Sequence, residues 1–154
     1  MSGSLNYIDL GHPLYQDAVA IRIECFFKGM DNAALLIQDS HEADGIHLIY
    51  VNQDQQVLGT GRLNIQDNTG IISQMAIRPK HQQMGIGKVI LEELYEKAKL
   101  LGVNAIKLSA RETAIPFYAR YGFKAVGEQY PSKKTGIIHQ QLSLIHISEP
   151  TRPY

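Results

Sequence analysis

HQQMGIGKVILEEL, residues 81–94, sets Gly85 and Gly87 two apart directly in front of an amphipathic run. Glycine at such a place is less favourable to a helix than alanine by about 0.5–1 kcal/mol, so the pair asks for a compensating role. A helix start offers unpaired N–H groups and the positive end of the macrodipole, which together favour an anion. Three glycine-rich phosphate turns compete for this stretch. A Walker A loop needs a glycine five residues before Gly87 and a Ser or Thr after the lysine; Gln82 and Val89 stand there. A dinucleotide fingerprint needs a third glycine where Ile90 stands, and it opens the first unit of a parallel sheet. The remaining pattern is Gln-x-x-Gly-x-Gly, formed by Gln82, Gly85 and Gly87.

Outward from this turn, residues 87–102 are predicted to be a helix with Ile90, Leu91, Leu94, Ala98 and Leu101 on one apolar stripe. Glu93 and Lys97 are spaced for an ion pair, and Gly102 closes the run. Upstream, residues 14–29 read as a helix with Ala18, Ile21, Cys25 and Phe26 inward, and residues from Asn32 as a short helix that Asn32 caps. GIHLIYVN and VLGTGRLNI form a hairpin around QDQQ, Asp67-Asn68 marks a turn, and GIISQMAIRP is a third strand with Ile71, Ser73, Met75 and Ile77 on one face. Downstream come a strand (VNAIKLSA), a short helix (TAIPFYARYG) and two strands (FKAVGEQY and GIIHQQLSL). The order α-α-β-β-β-α-β-α-β-β predicts an α/β fold, a mixed and mostly antiparallel sheet with helices on both faces.

The chain has 154 residues, 15 Lys plus Arg and 15 Asp plus Glu, for a formal net charge of zero. A nucleic-acid partner is not expected without a basic excess. One cysteine, Cys25, excludes an internal disulfide and suits a reducing compartment. No apolar run reaches the length of a membrane span, and no signal peptide is legible, so a cytoplasmic protein without membrane partners is expected. The histidines have no ligand-like spacing, and no metal is expected. LSLIHISEPTRPY, residues 142–154, resembles translated sequencing-adapter read-through. The expected organisation is therefore one domain over residues 1–142 and a non-native tail over 143–154.

A second block strengthens the glycine turn. AIPFYARYGF, residues 114–123, lies one strand downstream, and the two together resemble the GNAT family of acyl-CoA-dependent N-acyltransferases across residues 57–142. The resemblance implies a GNAT-like fold, acetyl-CoA as cosubstrate, and a small-molecule or peptide amine as acceptor; homodimers are common in the family. It implies that the backbone of Met75, Ala76 and Ile77 forms a bulged strand against the pantetheine arm. Gln82, Gln83, Met84, Gly85, Ile86, Gly87 and Lys88 are then expected around the pyrophosphate. Arg111 stands where many members carry an asparagine near the pantetheine.

Tyr118 matches the family's tyrosine that protonates the departing thiolate. His139, in a Gly-Ile-x-His pattern on the last strand, is a candidate base, with Glu112, Glu42 and Asp44 as others. Ser73 and Gln74 are expected at the acceptor cleft. The expected function is acetyl transfer to a primary amine, an acyltransferase reaction. The alternative is a non-catalytic acyl-CoA-binding sensor or interaction module on the same fold. A nucleotide binder using the turn for ATP or NAD is disfavoured by the two motif mismatches above.

Overall fold

The computed structural model describes residues 3–145. Its elements are β1 (Ser4–Ile8), α1 (Tyr15–Phe26), α2 (Ala33–Ile37), β2 (Ile46–Val51), β3 (Val57–Gln66), β4 (Thr69–Ile77), α3 (Ile86–Leu100), β5 (Ala105–Arg111), α4 (Ile115–Ala119), β6 (Lys124–Pro131) and β7 (Ile138–Ile145), with 3₁₀ turns at Pro79–His81 and Glu112–Ala114. Strand order is β1-β2-β3-β4-β5-β7-β6. The pairings β1–β2, β2–β3, β5–β7 and β6–β7 are antiparallel, while β4 and β5 are parallel from Thr69–Ala105 to Ile71–Lys107. Contacts divide the chain into two compact units: residues up to Asn64 with Ser73–Leu94, and Ile65–Ile72 with the residues from Tyr95 onward.

In the first unit, β2 and β3 form the predicted hairpin, with Ile46 opposite Leu63 and Leu48 opposite Gly61. Asn52 Oδ1 accepts from the N–H groups of Asp54 and Gln56 and so shapes its turn. Strand β1 lies along β2 and has no counterpart among the elements expected from the sequence; it has five residues, of which only Ile8 is buried, so no periodicity betrays it. One sheet face packs Ile49, Val51, Val57 and Ala76 against Tyr15, Ala18 and Ile21 of α1. The other face receives α3. A Cβ on Gly59 would meet Ile77, Ile86 and Ile90 at 2.8–3.0 Å, and one on Gly61 would meet Met75, Ile90 and Leu94 at 2.8–2.9 Å. These two glycines let the helix approach the strand closely, so β3 is buried along its length up to Asn64.

The stripe of α3 is buried at Ile90, Leu91, Leu94 and Ala98, but Leu101 is exposed because the helix ends at Leu100. Glu93 accepts a hydrogen bond from Tyr7 at 2.7 Å. Gly102 N–H to Lys99 O (3.0 Å) and Val103 N–H to Ala98 O (3.3 Å) close the C-terminus. Asn32 occupies the cap position of α2, but its side chain makes no cap bond; its backbone carbonyl accepts from Leu35 and Leu36.

In the second unit, β5 buries Ile106, Leu108 and Ala110 and pairs with β7 in unbroken register from Ala105–Ile145 to Arg111–His139. Strand β6 pairs with β7 across a slip between Val126 and Tyr130. Strand β7 includes residues 143–145 of the stretch read as a tail, with Ser143 buried. Residues 146–154 of that stretch lie outside the described residues.

Candidate active site

The glycine turn leaves backbone donors unused. The first helical bond of α3 runs from Val89 N–H to Gly85 O at 3.2 Å. No acceptor among the described residues takes the N–H groups of Gln83, Met84, Gly85, Ile86, Gly87 or Lys88. Gln83 (φ +64°) and Gly85 (φ +89°) are both left-handed. Such alternation folds successive N–H groups into a concave nest for an anion. Gly85 suits its angle because an L side chain is strained there. Ile86 anchors the turn in the core, while Met84 is 53% exposed and Gln82, Gln83 and Lys88 are also exposed. Gln82 differs from its neighbours: its N–H bonds Pro79 O at 3.4 Å and its side chain donates to Ile77 O at 3.1 Å. It therefore straps the turn. The nest itself fits a pyrophosphate held by backbone N–H groups and a helix start.

Strand β4 departs from the expected alternation. Gln74 has φ +57°, a conformation that costs an L residue about 1–2 kcal/mol. Ser73 Oγ accepts from Arg62 Nε at 3.0 Å and Gln74 Oε1 accepts from Arg22 Nε at 3.1 Å. Ala76 packs with α1, whereas Met75 and Ile77 lie beside Gly61 and Gly59 on the α3 face. Ser73 thus does not share a face with Met75 and Ile77. Consecutive residues, Ser73 and Gln74, serve the same side, as in a bulged strand. The Ile77 carbonyl accepts from Cys25 Sγ at 3.3 Å and from Gln82, so its capacity toward a bound chain is largely taken.

Beneath the bulge is a charge cluster that sequence reasoning missed. Arg22 of α1 clamps Glu42 with bonds of 2.7 and 2.9 Å, and Arg62 of β3 donates to the same carboxylate at 2.7 Å. Tyr15 donates to Glu42 at 2.5 Å, and Arg62 also grips Asp39 at 3.0 and 3.1 Å. His47 bonds the Glu42 backbone carbonyl at 2.9 Å, with Tyr15 edge-on to its ring. Arg22, Glu42 and Arg62 are only 2%, 1% and 3% exposed. Burial by itself raises the Glu42 carboxyl, but hydrogen bonds from Arg22 and Tyr15 and the arginine charges overcome it and hold the group at about 2. That makes Glu42 a poor proton acceptor. Asp44 and Glu112 are exposed. The signal available in advance was Arg22 itself, four residues after Ala18 on the inward face of a helix.

The second unit holds the other candidates. Tyr118 of α4 is buried between Phe117 and Phe123, whose rings stand edge-on at 5.0 and 5.9 Å. Burial pushes its phenol up to about 12. No hydrogen bond engages its hydroxyl among the described residues. His139 of β7 is half-buried and lies opposite Arg111 on β5 and Tyr130 on β6. Its Nδ1 is 2.8 Å from Ile137 O; a carbonyl only accepts, so Nδ1 carries the hydrogen of this bond, and in the neutral ring Nε2 is the nitrogen with the lone pair. Ser109 and Tyr130 hydrogen-bond beside it. Among the described residues no three His, Cys, Asp or Glu side chains converge as a metal site, and no helix is long and apolar enough to cross a membrane.

Known proteins resemble this chain in sequence or in fold. YjcF of Bacillus subtilis strain 168, an uncharacterized N-acetyltransferase, is 28% identical over 127 residues, 82% of this chain and 89% of its own length. An acyl-CoA N-acyltransferase from Pseudomonas aeruginosa superposes with a TM-score of 0.76 at 22% identity, covering 92% of this chain and 99% of that one. An aminoglycoside 6′-N-acetyltransferase solved with coenzyme A superposes at 0.75 with 14% identity, covering 96% and 99%. The acetyltransferase (GNAT) domain profile matches residues 13–145. With that profile spanning both the glycine turn and the Tyr118 block, the chain belongs to the GNAT family of acetyltransferases.

Proposed function

We propose that this chain transfers an acetyl group from acetyl-CoA directly to a primary amine. The observation that carries this reading is the row of unpaired N–H groups from Gln83 to Lys88 at the start of α3. It supports a pyrophosphate cradle that uses backbone and dipole in place of clustered lysines. Bound acetyl-CoA supplies an activated thioester. Met75 and Ala76 on the bulged strand offer backbone groups to the pantetheine arm, and Arg111 stands where the family places a further contact.

Tyr118 is the donor to the leaving sulfur. A phenol at about 12 is a weaker acid than a thiol near 8.5, so the hydroxyl works as a hydrogen-bond donor that stabilises the departing sulfur as thiolate, and the proton released by the amine is the one available to neutralise it. His139 is the base, since its fixed tautomer leaves Nε2 to take a proton from the amine, directly or through water. The coenzyme A complex with 14% identity acts on an aminoglycoside by its name; here the acceptor class is any primary amine.

Thiol release from acetyl-CoA across a panel of polyamines, amino acids, peptides and aminoglycosides tests the proposal. An amine that is turned over, with Tyr118→Phe lowering kcat by about 10²-fold or more, supports it. Coenzyme binding without turnover of any amine would assign the chain to acyl-CoA sensing.

A further inference from the structure

The Arg22–Glu42–Arg62 cluster has no catalytic duty in the reading above, and a fold does not require it. Buried ion pairs replaced by well-packed apolar residues commonly leave stability unchanged or improved. The geometry gives it another use. One carboxylate joins two guanidiniums, and each guanidinium turns its remaining Nε donor to one of two consecutive residues, Arg62 to Ser73 and Arg22 to Gln74. Those two residues are where β4 bulges, and Gln74 holds a backbone angle of +57° that a glutamine does not favour on its own. Every anchor of the clamp is itself fixed: Glu42 by Tyr15, its backbone by His47, and Arg62 by Asp39.

We infer that Arg22, Glu42 and Arg62 are positioning residues that lock the β4 bulge, and that Arg22 acts through Gln74 to present the backbone of Met75 and Ala76 to the acyl-CoA. The inference rests on the acyl-CoA reading of the glycine turn and goes beyond it by assigning a preorganising role to side chains that touch no ligand. The lock works by removing alternatives. With Ser73 and Gln74 tethered to the same side, β4 cannot relax to regular alternation, so no ordering of the strand is required when the arm binds.

The test compares three substitutions and one pair, in the full chain. Gln74→Ala removes the tether and leaves a residue that disfavours the angle; Gln74→Gly removes the tether and relieves the angle; Arg22→Lys keeps the charge but loses the Nε bond to Gln74 and the two-nitrogen grip on Glu42. Two readouts are taken: amide hydrogen exchange at Met75 and Ala76 in the unliganded protein, and the calorimetric Kd for coenzyme A. Expected are exchange at least tenfold faster and a Kd about tenfold higher in Gln74→Ala, and partial recovery of both in Gln74→Gly. Arg22→Lys should behave as Gln74→Ala does, and the double variant Arg22→Lys with Gln74→Ala should be no worse than either alone. Unchanged exchange and Kd in Gln74→Ala would overturn the inference, as would fully multiplicative effects in the double variant. If Arg22→Lys does not fold, the Ala and Gly variants at position 74 still decide it. Normal binding by the wild type with unaltered variants removes only this inference, whereas a wild type that binds no coenzyme A removes the reading beneath it.

Discussion

The turn at residues 82–88 and the arginine pair around Glu42 belong to the same compact unit and treat polarity in opposite ways. At the turn, N–H groups from Gln83 to Lys88 have no acceptor among the described residues, and most of the side chains around them are exposed. Around Glu42, both carboxylate oxygens are engaged, and all three nitrogens of each guanidinium have an acceptor. An unpaired donor in contact with water is inexpensive and open to a ligand, while an unpaired buried charge costs several kcal/mol. This unit thus keeps its open donors on backbone and spends its buried charge on internal support.

Substitutions should separate the two regions. The largest effect is expected from Glu42→Ala, which leaves two buried arginines short of a partner. Unfolding free energy should fall by about 3–5 kcal/mol, read by urea titration as a lower midpoint with an unchanged slope. A loss below about 1 kcal/mol would mean the cluster is effectively at the surface. Gly85→Ala places a side chain at φ +89°. It should raise the Kd for coenzyme A about tenfold, or 1.4 kcal/mol, with a stability loss of about 1–2 kcal/mol.

The acid limb of the stability curve gives a smaller, distinct effect. The Glu42 carboxyl lies at about 2 in the fold against 4.5 when free, so its contribution is complete above the unfolded value and disappears as pH falls from about 4.5 to about 2. Thermal midpoints of the wild type should therefore drop through that window, and Glu42→Gln should show a shallower drop. The least change is expected from Lys88→Ala, which leaves the N–H groups intact. Its Kd should rise by about threefold or less; a rise above tenfold would move the binding from backbone to side-chain charge.

Much of the turn was legible because glycine identity reports backbone geometry: Gly85 stands where φ is +89° and Gly102 where it is +84°. The apolar stripe of α3 was legible for a similar reason, since 3.6-residue spacing maps directly onto a buried face. Gln74 carried no such mark, because its left-handed angle occurs in a glutamine whose side chain bonds Arg22, 52 residues away. Arg22, Glu42 and Arg62 lie 20 residues apart in steps; Arg22 stands out only by its place on the inward face of α1, and neither Glu42 nor Arg62 shows in the sequence that it joins Arg22. Only the tertiary fold makes them one object. His139 was legible as a candidate by its motif, but its tautomer depends on the carbonyl of Ile137, which requires the bend of the chain before β7.

The proposed function stands or falls on whether the turn before α3 holds the pyrophosphate of an acyl-CoA. Thermal unfolding with acetyl-CoA, coenzyme A, ATP and NAD at equal concentration decides it. A ligand at 100 times its Kd stabilises by about 2.7 kcal/mol, a rise of about 5–10 °C for a chain of this size. That rise is expected for acetyl-CoA and coenzyme A, with ATP and NAD near the unliganded midpoint. No shift with any of the four at millimolar concentration, or an equal shift with ATP or NAD, would contradict it.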